Sequence, residues 1–343
     1  MNREASQRRA KALRFIVLMG LVSLFGDIVY EGARGVIGPY LAMLGASAFA
    51  VGLVGGLGEF IGYALRLLSG FMADRTKAYW LFTFIGYGLI LSIPLLSFAN
   101  SWWVAALFII LERAGKAFRS PARDTILSYA TKEVGRGFGF GIHEALDQIG
   151  AIVGPLIFSF ILFFGGDYRS GFSILWIPAL IVIVILVIAR NQLPHPEKLE
   201  TPEESEEKDS KIFSRVFILY SLFTFLSVAG FANFPLISYH LKVKEIMSDV
   251  QIPTFYALAM GVDAIVALLI GRAYDRVGLR TLMVIPLLSL LIPFLAFSNS
   301  IASVIIGVIL WGGVLGVHET IMRAAVADLT PISRRGSAYG IFN

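Results

Sequence analysis

The stretch "DIVYEGAR" places Asp27, Glu31 and Arg34 at i, i+4 and i+7, on one face of a helix. Acids and a base interleaved with apolar residues in this way can trade protons. Burial and a neighbouring arginine act on a carboxylate in opposite directions, so a modest rearrangement can load or release its proton. Similar charges recur in apolar surroundings: Glu59 in "VGLVGGLGEFIGYALR", Glu112 and Arg113, then His143, Glu144 and Asp147 in "FGFGIHEALDQIGAIVGP", and Asp263. On helical spacing His143 and Asp147 share a face, as do Glu144 and Gln148, while Glu112 can satisfy itself with Lys116 at i+4. Arg113 then needs an acid from another helix, for which Asp27, Glu31 and Asp147 are the candidates. Those three acids, near Arg113, are the expected proton carriers. His143, Glu144 and Asp147 with Asp27 and Glu31 could instead hold a divalent cation, although no spacing here is specific to a metal and no resident metal or cofactor is expected.

The elements that carry these residues are membrane helices. The 343 residues are 57% hydrophobic and 15% charged, with a mean hydropathy of +0.75; a soluble domain keeps about a quarter of its residues charged. Apolar runs fall at 13–38, 48–72, 78–99, 101–120, 137–165, 170–191, 213–240, 251–272, 279–298 and 300–322, with an eleventh beginning at Gly336. Runs near 20 residues suit a bilayer, and backbone groups inside one are satisfied only within helices. Such a group of charges at membrane depth marks a functional site by default.

Lysine and arginine set the orientation. Of 29 such residues, only Arg169, Lys242 and Lys244 fall in loops on one side, and Arg34, Arg66 and Arg113 lie within spans. The rest gather on the other side, which puts the N-terminus in the cytoplasm of a multi-pass plasma or inner membrane protein. That bias also accounts for the net charge of +5 without nucleic acid. With no cysteine there is no disulfide, iron–sulfur cluster or thiol catalysis. No HExxH and no GxxxxGK[ST] loop appears, so neither catalysis nor direct ATP use is expected.

A proline-punctuated acidic stretch, 192–212, separates a first bundle of six spans, 1–191, from an incomplete second one, 213–343. The halves echo each other. "GFMADRTKAYW" (Gly70 to Trp80) and "GRAYDRVGLRT" (Gly271 to Thr281) each join the second and third spans of a half; "ATKEVGRGFGFGI" (Ala130 to Ile142) and "LTPISRRGSAYGI" (Leu329 to Ile341) each open a fifth span. Two motifs that keep nearly one offset indicate an internal duplication.

These hinges resemble the loop motif of the major facilitator superfamily, Gly-x-x-x-Asp-Arg-x-Gly followed by bases. Gly70, Asp74, Arg75 and Lys77 match it, with Thr76 in place of the inner glycine; Gly271, Asp275, Arg276, Gly278 and Arg280 match in the second copy. Arg113 resembles the family's buried fourth-helix arginine. Gly150, Gly154 and Pro155 resemble its Gly-x-x-x-Gly-Pro motif of the fifth helix, found chiefly in proton-coupled exporters; Phe158 stands where that motif usually has glycine. The resemblance implies an all-α polytopic protein of two pseudo-symmetric six-helix bundles, the second incomplete here. It implies an alternating-access carrier of a small solute, most readily by proton antiport, and a monomer when full length. It also implies that each hinge is a cytoplasmic latch, with its Asp facing a helix N-terminus or a base of the other bundle. The alternatives are an importer or uniporter of an organic anion, a sugar or a divalent metal ion, and, outside transport, a receptor or membrane enzyme. By symmetry the second half lacks its last two helices, so a longer, twelve-span protein is expected, with the apolar face of "SRRGSAYGIFN" left uncovered. His318 and Glu319 are expected at the cytoplasmic end of the tenth span, facing solvent or the latch.

Overall fold

The computed structural model describes residues 3–34, 36–196, 215–229, 231, 237, 241, 244–247 and 251–342. Among these there is no strand. The helices are α1 (Arg3–Arg34), α2 (Ile37–Met43), α3 (Ala48–Thr76), α4 (Tyr79–Gly88), α5 (Trp102–Val134), α6 (Arg136–Phe163), α7 (Tyr168–Ile174), α8 (Trp176–Gln192), α9 (Arg215–Ala229), α10 (Gln251–Val277), α11 (Val284–Ala296), α12 (Ile301–Leu329) and α13 (Arg335–Phe342). Tight turns extend α4 to Phe98 and join α10 to α11. Among the described residues, seven helical segments are long and apolar enough to cross a membrane. The seventh expected span is described only as α9, and the linker from residue 197 onward lies outside the described residues.

The boundaries follow from local chemistry. Ser47 opens α3 by accepting a hydrogen bond from the Ala50 N–H at 3.2 Å, the usual service of an N-cap serine. The same helix ends where Lys77 turns left-handed at φ 55°, and Gly135 at φ 103° separates α5 from α6. Two spans run past their apolar stretches: α5 continues beyond 120 to Val134, and α12 beyond 322 to Leu329. The charged continuations stay helical because they are packed. Every residue from Arg119 to Thr131 is buried.

α1 lies along α6, α6 along α10, and α10 along α12, so these four helices form the middle of the molecule. Outward faces are apolar: Phe60, Phe160, Phe225, Leu287 and Phe294 are each at least 66% exposed, the surface that lipid rather than water covers. α13 does not present a bare apolar face. Ala338 and Tyr339 are fully buried, and the helix packs on α3 and α5.

Candidate functional site

Two constructions stand out, one at the helix ends and one within the helices. The first is the pair of hinges. Asp74, buried at the end of α3, accepts hydrogen bonds from the backbone N–H of Gly336 (2.9 Å) and of Ser337 (2.6 Å), and from the Tyr79 hydroxyl (2.8 Å). Asp275, at the end of α10, accepts from the N–H of Gly137 (2.8 Å) and of Phe138 (2.9 Å). Each aspartate therefore caps the first turn of a helix from the opposite half, α13 and α6 respectively, where unpaired N–H groups and the helix dipole favour an anion. Glycines let the backbones come that close. A side chain on Gly70 would strike the Gly336 backbone, and one on Gly271 the Gly137 backbone.

Three further bonds tie this end. Lys77 Nζ donates to the Ser333 carbonyl at 2.9 Å. Arg136 pairs with Asp328 at 2.5 Å, and the Tyr274 hydroxyl donates to the same carboxylate at 2.8 Å. Arg75, Arg276 and Arg280 are exposed. The inner-glycine position of the first hinge is Lys77, not Thr76: Lys77 at φ 55° does what Gly278 does at φ 69°, turning the chain left-handed just after the helix.

The second construction is the charged core. On α6, His143 accepts from or donates to the Ser23 hydroxyl of α1 at 2.9 Å through Nε2, and Ser23 also meets Arg123 Nη1 at 3.1 Å and the Tyr87 hydroxyl at 3.2 Å. Arg123 is held by its neighbour Asp124 at 2.9 Å. One position along, Glu144 takes a 2.8 Å ion pair from Arg323 of α12 and a 2.8 Å bond from the Gln148 amide. That amide also reaches Glu319 at 3.4 Å, and Arg323 lies 3.9 Å from Glu319. Asp263 of α10 completes the group: oxygens of Glu144, Asp263 and Glu319 lie within 4.8 Å of one another.

The expected acids divide between the two sides of α6. Asp27 sits on α1 with its Cβ against Gly150, one turn beyond Asp147. Asp147 is 9% exposed, and its Oδ1 has no hydrogen-bond partner among the described residues. Gly150 and Gly154 press on the backbone of α1 at Leu24, Ile28 and Gly32, so the fifth-helix glycines serve the α1–α6 contact. Pro155 lies within α6. Glu31 pairs at 3.3 Å with Arg34 of its own helix, whose side chain is 54% exposed. The Glu59 side chain lies outside the described residues.

Several partners differ from expectation. Arg113 hydrogen-bonds the Tyr30 hydroxyl, and a carboxylate oxygen of its neighbour Glu112 lies 4.0 Å away. Glu112 faces Arg119 (3.6 Å) rather than Lys116, whose ammonium lies 3.8 Å from the centre of the Tyr30 ring. An aromatic ring attracts a cation through its face. His318 and Glu319 are not at a helix end. His318 is buried against the Phe231 ring, and Glu319 joins the central acids, because α12 continues for ten residues past it. Arg323, Arg123 and Ser23 were not among the expected site residues. Their signal was position: on helices that outlast their apolar runs, or as a lone hydroxyl facing a buried histidine.

The family model described as Major Facilitator Superfamily matches residues 18–343. An uncharacterized Mycobacterium tuberculosis protein, Rv2265, is 41% identical over 344 residues, covering 98% of this chain and 84% of its own length. The protein named multidrug resistance protein MdtH of Photorhabdus laumondii is 27% identical over 241 residues, 68% of this chain and 57% of that protein. Among solved structures, the human organic anion transporter MFSD10 aligns with a TM-score of 0.72 at 15% identity, over 96% of this chain and 89% of that one. Helix order, two hinges capping helices across the halves, and a match spanning nearly the whole sequence agree: the chain belongs to the Major Facilitator Superfamily, a family of membrane transporters rather than enzymes.

Proposed function

We propose that the protein is a proton-driven exporter of a small solute that works by alternating access in the plasma or inner membrane, with its hinge end in the cytoplasm. In this reading the structure is the cytoplasm-closed state, because both aspartates are seated on the backbone of the opposite half. The observation that carries proton coupling is the α1–α6 seam, where buried Asp147 has an oxygen unpartnered among the described residues and Asp27 sits one turn away against Gly150. A carboxylate exchanging a proton where two packed helices meet can make helix packing depend on its occupancy, which is what coupling requires. The likeness to a protein named for multidrug resistance supports export.

The test uses the purified chain in liposomes with a pH-sensitive dye in the lumen. A panel of organic cations, organic anions and sugars is offered under imposed pH gradients of either sign. One class should drive proton movement opposite to its own flux. Asp147→Asn and Asp27→Asn should abolish gradient-driven accumulation and spare solute exchange. Full accumulation by the double variant refutes proton coupling at this seam, and co-directional proton flux refutes export.

A further inference from the structure

On the far side of α6 from that seam, the Glu144, Asp263 and Glu319 carboxylates meet one base, Arg323, among the described residues. Arg323 Nη1 is 2.8 Å from Glu144 and its Nη2 is 3.9 Å from Glu319. With all three acids ionised, one guanidinium leaves a surplus of two negative charges in a protein interior. Water reaches only part of it: the Glu319 side chain is 32% exposed, but Glu144 and Asp263 are fully buried. Hydrogen bonds serve Glu144 and Glu319 but not Asp263. Both Asp263 oxygens lack a partner among the described residues, and Gly316 of α12, bare of a side chain, leaves just enough room for them. Gln148, 7% exposed, aims its amide at Glu144 (2.8 Å) and Glu319 (3.4 Å), and its own Oε1 is unpartnered. Turning that amide over would present its carbonyl oxygen to the same spot.

We infer that Glu144, Asp263 and Glu319, with Gln148, form a site for one hard divalent cation of the calcium, magnesium or manganese class, bridging the two halves of the transporter. A +2 ion cancels the surplus and supplies the electropositive partner that Asp263 lacks. Oxygens within 4.8 Å of one another suit an ion whose ligands sit at about 2.3–2.6 Å on different sides of it. The donor set is oxygen throughout. His143 is engaged with Ser23 and His318 packs on Phe231, so nothing soft enough to select zinc or copper joins it. The ligands come from α6 in the first half and from α10 and α12 in the second. The ion therefore holds the halves together at this depth and favours the hinge-closed state, independently of which solute is carried or whether protons drive it.

The experiment reads binding and not transport, so it stands apart from the exporter proposal. The full chain in lipid nanodiscs is stripped with EDTA and titrated with MnCl2 by electron paramagnetic resonance, and with CaCl2 and MgCl2 by calorimetry. One saturable ion per chain should bind and raise the melting temperature. Asp263→Asn and Glu319→Gln should each weaken it at least about tenfold. Asp263→Asn should also melt higher than the parent in EDTA, since it removes an unbalanced charge. Should those variants fold poorly, Gln148→Glu adds a fourth carboxylate without removing a ligand, and Mn2+ should then bind more tightly. The proposal is overturned by the absence of a saturable ion, by binding that all three variants leave unchanged, or by a melting temperature that follows pH and no divalent cation. In the last case protons, not a metal, neutralise the surplus.

Discussion

The two hinges do the same task in unequal surroundings. Asp275 grips the first turn of α6 from an exposed position, with two backbone donors. Asp74 grips α13 from a buried one, with two backbone donors and the Tyr79 hydroxyl. Around Asp275 the load is shared with the nearby Arg136–Asp328 pair; around Asp74 the carboxylate collects three donors and Lys77 adds its bond to the Ser333 carbonyl. Yet the first hinge matches the family motif less well. Closeness to a motif and depth of embedding are separate properties, because a motif records which residue types suffice and burial decides how much each contact contributes.

Backbone proximity is where the comparison should break most severely. Gly70→Leu would drive a side chain into the Gly336 backbone, and Gly271→Leu into that of Gly137. Main chain cannot swing aside as a side chain can, so the overlap should cost about 3 kcal/mol or more, roughly a hundredfold in the closed population. The chain contains no cysteine, so closure can be read by cross-linking a cysteine pair at the hinge left intact. Positions 77 and 333 report on Gly271→Leu, and positions 138 and 272 on Gly70→Leu. Unchanged cross-linking in either variant would show that the hinges do not govern closure.

A smaller effect should separate the two aspartates. Asp74→Ala strands two buried N–H groups and a phenolic hydroxyl, and hydrogen bonds to a charged acceptor are worth about 1.5–3 kcal/mol each. Asp275→Ala opens an exposed cap that water can serve, and should cost about 1 kcal/mol. By the same cross-links, Asp74→Ala should reduce closure at least about tenfold more than Asp275→Ala. Equal losses, or the reverse order, would mean that burial does not set the strength of these caps.

What the amino-acid order revealed of this end, and what it hid, follows from range. The helices, the duplicated hinges and the need for an anion-accepting partner are local, and they were legible. That Asp74 would find Gly336 and Ser337 lies in contacts more than 250 positions apart. The charged core was half legible. Asp147, Glu144 and Asp263 stand out as acids inside apolar runs, but Glu319 and Arg323 fall where hydropathy fades, so hydropathy alone places them at a helix end. Packing against α6 keeps α12 helical to Leu329 and carries both residues inward. Arg113 shows what charge alone leaves out: a tyrosine hydroxyl of α1 also meets it, a partner that no charge pattern announces.

The finest difference between the hinges is the residue that turns left-handed, Lys77 in one and Gly278 in the other. Glycine adopts this conformation freely, whereas a side chain strains it. Gly278→Ala should therefore destabilise the second hinge by about 1 kcal/mol, since nothing else near the position changes and no neighbouring atom lies where the new methyl would go. In the first hinge the lysine offsets its strain with a use: its ammonium donates to the Ser333 carbonyl, across to the segment that leads into α13. Lys77→Gly should relieve the strain and lose that bond together, two effects of about 1 kcal/mol with opposite sign. The net change in melting temperature should be small. Lys77→Ala is the control that separates them, because it keeps the strain and loses the bond, and should be about 1 kcal/mol worse than Lys77→Gly. If Lys77→Ala and Lys77→Gly melt together, the left-handed turn carries no strain, and the glycine of the second hinge is there for another reason.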